Sequence, residues 1–109
     1  MNESNAIAEA LAAIEGIASV TRGWPKQTAL LPCAAVNLEE RAAADTRDNE
    51  TYLTKHVYGV RLFAATMSAC DALQGPVTAA MEALGYTLER VAEADGETAQ
   101  QKLTFQKLE

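Results

Sequence analysis

The sequence predicts an α+β fold: a mainly antiparallel sheet of about four or five strands with two helices packed on one face, in the order α-β-β-β-α-β-β. Three observations lead there. Apolar residues recur at helical spacing near the start and again after residue 68. The stretch between is rich in β-branched and aromatic residues, and the chain closes on two strand-like runs around an Asp-Gly pair. A single domain, residues 1–109, suits this length.

The first helix rests on residues 4–19, where Ile7, Leu11, Ile14 and Ile17 form one apolar stripe and Ala fills the flanks. Ser4 or Asn5 is the expected cap, accepting from an otherwise unpaired backbone N–H. The following "VTRGWPKQTALLP" holds Gly23, Pro25 and Pro32, so it reads as a short strand and then a loop. Trp24 beside Pro25 is expected to plug one end of the core.

Strand structure then dominates from Cys33 to Ala65. "CAAVNLEERAA" alternates Ala34, Val36 and Leu38 against Ala35, Asn37 and Glu39. "TYLTKHVYGVRLFAA" is apolar on both faces past Val57, which predicts a central strand covered by helices on at least one side. The polar "AAADTRDNE" between them is the expected tip of a long hairpin projecting beyond the core. The second helix spans residues 68–84, with Ser68 and Asp71 as a capping-box-like start. Leu73, Val77, Ala80, Met81 and Leu84 form its stripe, and Gly85 stops it. Gly75-Pro76 implies either one kinked helix, the favoured reading, or two segments.

In the closing "YTLERVAEADGETAQQKLTFQKLE", a two-residue turn at Asp95-Gly96 pairs Ala94 with Glu97. That register sets Leu88 opposite Leu103, Glu89 opposite Lys102, Ala92 opposite Ala99 and Tyr86 opposite Phe105, so apolar meets apolar far from the turn.

Composition narrows the function. Ala supplies 22 of the 53 hydrophobic residues, leaving a thin core that partner subunits would complete. The net charge of −6 disfavours a phosphate backbone as ligand, so no specific nucleic-acid binding is expected. Nor is a membrane partner, because no 18-residue apolar run and no basic leader occur. Cys33 and Cys70, 37 residues apart, read as small buried thiols of a reducing compartment.

No catalytic or metal-binding set emerges. His56 is the only His and sits among Tyr52, Thr54 and Tyr58 as a packing residue. One His and two distant Cys fall short of a zinc site. Glu39 and Glu40 point to opposite faces of a strand and cannot act as a pair. Ser68 is better used as a cap than as a nucleophile, and Gly23, Gly59 and Gly75 are too isolated for a phosphate loop. No cofactor is expected. Two hairpins with apolar bases and polar outer ends remain, shaped to be covered by a neighbour or simply solvated.

The order of parts resembles the tail-completion (tail-terminator) proteins of long-tailed phages and prophages. The likeness spans nearly the whole chain: a helix ending near "GIASVTRGWP", a Pro-led strand "LPCAAVNLEE", a polar tip, the strand "KHVYGVRLFAAT" feeding "SACDALQGPVTAAMEALG", and a closing "KLTFQKL". The Gly75-Pro76 break and the Ala-rich first helix depart from the pattern. The resemblance implies a structural virion protein that caps the tail tube as a homo-oligomeric ring, commonly a hexamer. Its partners would be itself, the tail tube protein and a head–neck connector protein, first in the host cytoplasm during assembly and then in the virion tail. It leaves a related head–tail joining protein open and has no catalytic residues to transfer.

The interface expected on that reading comprises Asp45, Thr46, Arg47, Asp48, Asn49, Glu50 and Thr51 of the first hairpin tip, with Glu93, Asp95, Glu97 and Gln100 of the second. The alternative is a small ferredoxin-like ligand-binding or regulatory module with a pocket around Trp24, His56 and Tyr58.

Overall fold

A computed structural model of the chain describes residues 3–23, 30–47, 50–94, 96 and 98–108, with the backbone alone at residues 3, 4, 40–47 and 50–53. It has the expected α+β class: α1 (Glu3–Ala12), β1 (Ser19–Arg22), β2 (Cys33–Arg47), β3 (Glu50–Ala64), α2 (Met67–Ala83), β4 (Thr87–Ala94) and β5 (Ala99–Leu108). The five strands form one sheet in the order β1-β2-β3-β5-β4. Among the described strand pairs, β1–β2 is parallel and the others are antiparallel. β3 is the central strand, as its two apolar faces predict.

One face of the sheet carries both helices. Tyr58, Val60, Leu62 and Ala64 of β3 and Ala99, Leu103 and Phe105 of β5 meet Ile7 and Leu11 of α1 and Cys70, Leu73, Val77 and Met81 of α2 in a single buried cluster. The alternation that defines this face follows from the two-residue period of a strand.

α1 is shorter than the Ile stripe predicts. It ends at Ala12, and Gly16 takes a left-handed φ of 100° that a helix cannot continue through. Ile14 and Ile17 nonetheless pack on the core from the turn that follows. Ser4 and Asn5 lie inside the helix rather than capping it, and Asn5 Oδ1 instead accepts from the Arg22 guanidinium at 2.6 Å.

α2 runs unbroken through Pro76 from Met67 to Ala83. Its cap is Thr66, not Ser68: the Thr66 hydroxyl accepts from Ala69 N–H at 3.2 Å. Gly85 ends it with φ 94°. Gly85 N–H donates to Glu82 O and Tyr86 N–H to Met81 O, both at 3.0 Å, which satisfies two terminal carbonyls and turns Tyr86 into the core. Tyr86 meets Tyr58 edge-on, with ring centroids 5.7 Å apart.

The closing hairpin departs from the expected register. Ala94 pairs with Gln100, Val91 with Leu103 and Leu88 with Phe105, so a longer connection replaces the two-residue turn. Further from the turn, a bulge between Leu88 and Arg90 shifts the register by one more residue. Leu88 and Val91 are three residues apart and would face opposite sides of a regular strand. The extra residue, Glu89, shifts the alternation and lets both pack on the core.

Candidate assembly interface

β2 and β3 are each 15 residues long, whereas their sheet partners are shorter. β1 reaches β2 only as far as Val36, and β5 reaches β3 only as far as Lys55. From Asn37 to Arg47 on β2 and from Glu50 to Thr54 on β3, no described strand pairs with the outer edges. A two-stranded arm therefore leaves the core. Five residues of β3 past β5 correspond to about 17 Å at ~3.3 Å per residue. The molecule measures 51 × 26 × 24 Å, and its radius of gyration of 14.6 Å exceeds the ~13 Å of a compact chain this size. The arm accounts for the elongation.

Asp45, Thr46, Arg47, Glu50 and Thr51 form the paired end of this arm, where Thr46 lies opposite Thr51 and Arg47 opposite Glu50. Strand pairing continues further than the polar composition predicts, through most of "AAADTR". Asp48, Asn49, Asp95 and Glu97 lie outside the described residues, as does Trp24.

The second predicted tip lies elsewhere. Ala99 pairs with Ala64 and Leu108 with Lys55, so the β4–β5 connection sits at the end of the sheet opposite the arm. The two sets of predicted interface residues are not brought together. Within the closing hairpin, β5 is paired on both sides along most of its length, and the outer edge of β4 has no described strand partner.

Glu93 is engaged within the protomer. Gln101, fully buried on the helix side of β5, donates from Nε2 to Asp71 Oδ1 at 3.0 Å and to Glu93 Oε1 at 3.3 Å. One amide thus ties β4, β5 and α2. Its Oε1 has no hydrogen-bond partner among the described residues. Sequence reasoning missed Gln101, and took Asp71 for a capping residue. Beside them the Cys70 thiol contacts Leu62 O at 3.6 Å and Ala99 O at 3.7 Å. Burial, followed by the charges of Asp71 and Glu93, pushes its pKa up, so it stays a protonated, unreactive thiol at neutral pH. Cys33 is likewise free and buried.

Gln100 faces the other side of the sheet, which carries neither helix. There Glu39, the bulged residue of β2, reaches over Gly59. Its Oε1 meets Lys102 Nζ at 2.8 Å and Arg61 at 3.9 Å. Gly59 is needed for this close approach, because a Cβ there would meet the Glu39 carboxylate and the Lys102 stem. A shallow depression of about 210 Å³ opens on this side between Arg61, Lys102, Gln100, Glu93 and the small Ala92 and Ala94.

Of the residues named for the alternative pocket, Trp24 lies outside the described residues, and His56 and Tyr58 share the helix side of β3. Tyr58 is buried against Tyr86, and the described depression lies on the opposite face from the core positions Tyr58 and His56 share. Among the described residues, no group of three or more His, Cys, Asp or Glu could hold a metal ion, and no helix is long and apolar enough to cross a membrane. No protein-family model matches the chain, and no curated protein matches it.

Proposed function

We propose that this chain is a structural virion subunit, of a phage or prophage, that caps a tail tube as a homo-oligomeric ring, ends tail polymerisation and forms the surface for head attachment. The observation that carries this reading is the β2–β3 arm, whose outer edges find no strand partner in the described chain. Unpaired backbone donors and acceptors recruit another strand or are blunted. The arm is long, and its end is mixed in charge with no run of apolar residues, as suits a contact that must form without aggregation. The arm and the β4–β5 connection occupy opposite ends of the protomer. Contacts made by opposite ends are head-to-tail, and head-to-tail contacts close into rings when the rotation allows. The buried Cys70 and the Gln101 bracket serve the fold in this reading.

The test is electron microscopy of tail tubes assembled with and without the protein. Tubes of uniform length bearing a ring at one end are expected with it, and unregulated lengths without it. Tubes whose lengths and ends are the same in both cases would contradict the proposal.

A further inference from the structure

β4 is an edge of the sheet, and no described strand pairs with its outer side. Its side chains follow a symmetric order. Leu88 and Val91 pack on the core from the helix side. Thr87, Arg90 and Ala92 lie opposite Gln106, Thr104 and Lys102, the positions of β5 that alternate with Leu103 and Phe105, and so face the side without helices. The bulge residue Glu89 sits beside Arg90 on that same side. From Thr87 to Ala92 the strand therefore reads the same from either end, in face and in exposure: Thr87, Glu89, Arg90 and Ala92 are exposed, and Leu88 and Val91 are half-buried. The midpoint falls between Glu89 and Arg90. An edge is ordinarily blunted by Pro, by Lys or by a bulge. β4 has no Pro or Lys, and its bulge meets a bulge of the same shape when the facing strand is its own copy.

We infer that the outer edge of β4 pairs antiparallel with β4 of a second copy of the chain, about a two-fold axis between Glu89 and Arg90. Leu88 then lies opposite the partner's Val91, Glu89 opposite the partner's Arg90, and Thr87 opposite the partner's Ala92, each pair on one face of the joined sheet. Symmetry repeats every pair, so the half-buried apolar side chains are covered and both charged pairs are of opposite sign. Because Phe105 and Leu103 are two residues apart, Leu88 and Val91 also aim their backbone N–H and C=O groups the same way, as an antiparallel pair requires. Sliding by one residue sets Leu88 against the partner's Arg90 or the partner's Ala92, on the wrong face. A register centred on Ala92 keeps the faces matched but sets Val91 against the partner's Glu93. Six residues a side fall well short of the roughly 20–30 of a stable interface, so two free protomers stay apart and the contact forms where many copies act together. The ring reading above supplies that setting, and the stacking rests on it. The arm extends along the strands and β4 is met by crossing them, so a ring closed through its arms carries β4 on a rim. Two rings then meet rim to rim, each covering in the other a surface that a tube end or a head would otherwise meet.

Sedimentation velocity of the full chain, at high concentration and without tubes, tests this, with circular dichroism to check that each variant is folded. The wild type is expected as paired rings. Glu89→Arg and Arg90→Glu each set like charges opposite one another across the axis, and each is expected to halve the mass of the assembly to that of a single ring. Combined in one chain, Glu89→Arg with Arg90→Glu restores opposite signs, and paired rings are expected to return. Both positions are exposed, so the core is untouched. Single rings from the wild type, or paired rings from either single variant, overturn the β4 contact and leave the ring reading intact. Two-fold dimers in place of rings, lost in the single variants and regained in the combined one, uphold the contact and overturn the ring reading. A chain that stays monomeric even with tail tubes present overturns both.

Discussion

Gln101 is a polar residue at a position where the alternation of β5 demands an apolar one. Its neighbours on that face, Ala99, Leu103 and Phe105, are all fully or almost fully buried. A buried amide is tolerated when its hydrogens find acceptors, and here both do, on Asp71 and Glu93. Its orphan Oε1 carries a desolvation cost. Two substitutions separate these contributions. Gln101→Leu removes the orphan oxygen and leaves two carboxylates on exposed residues that water can solvate, so the urea midpoint should stay within about 1 kcal/mol of the wild type. Gln101→Glu places a third carboxylate between two others and should cost about 3 kcal/mol at pH 7. Part of that loss should return as pH falls and the buried acid takes up a proton. Equal losses for both variants, independent of pH, would mean that Gln101 acts through shape alone.

Elements were legible wherever one physical signal ruled. The central position of β3 follows from apolar residues on both of its faces, and the stripe of α2 from Leu73, Val77 and Met81 at helical spacing. Errors arose where two signals competed. At the end of α1 the Ile repeat continues past Gly16, and the backbone freedom of that glycine prevailed over the spacing. At the start of α2 two hydroxyl residues compete, and Thr66 wins because its extended backbone, φ −136° and ψ 155°, aims its oxygen at Ala69 N–H. In β4 the Asp-Gly pair suggested a tight turn, yet the odd spacing of Leu88 and Val91 already required a bulge. Deleting Glu89 should therefore restore strict alternation with Leu88 and Val91 two positions apart, keep both on the core side, and leave the urea midpoint within about 1 kcal/mol of the wild type. A deletion variant in which Leu88 or Val91 loses its contact with Phe105 or Leu103 by NMR would contradict the role given to the bulge. The arm was legible as a hairpin, but its strands run further than "AAADTRDNE" indicated, because polar residues lower strand propensity without preventing pairing between two long partners.

At the scale of the whole molecule, the core and the arm are separate assets. Among the described residues, the buried cluster draws on β2 up to Val36 and on β3 from Tyr58 onward. A two-stranded extension that costs conformational entropy is explained when something outside the protomer covers it. The same economy explains a thin core in which Ala34, Ala64 and Ala99 occupy sheet positions. The most direct measurement is the assembly state, by sedimentation velocity with and without tail tubes, of the full chain and of a shortened variant. In the variant, residues 43–54 are replaced by Asn-Gly, joining the paired Ala42 and Lys55 through a two-residue turn. The account predicts ring-sized species for the full chain, at high concentration or with tubes, and a folded monomer for the shortened one under every condition. Rings formed equally well by the armless variant, or a full chain that stays monomeric with tubes present, would contradict it.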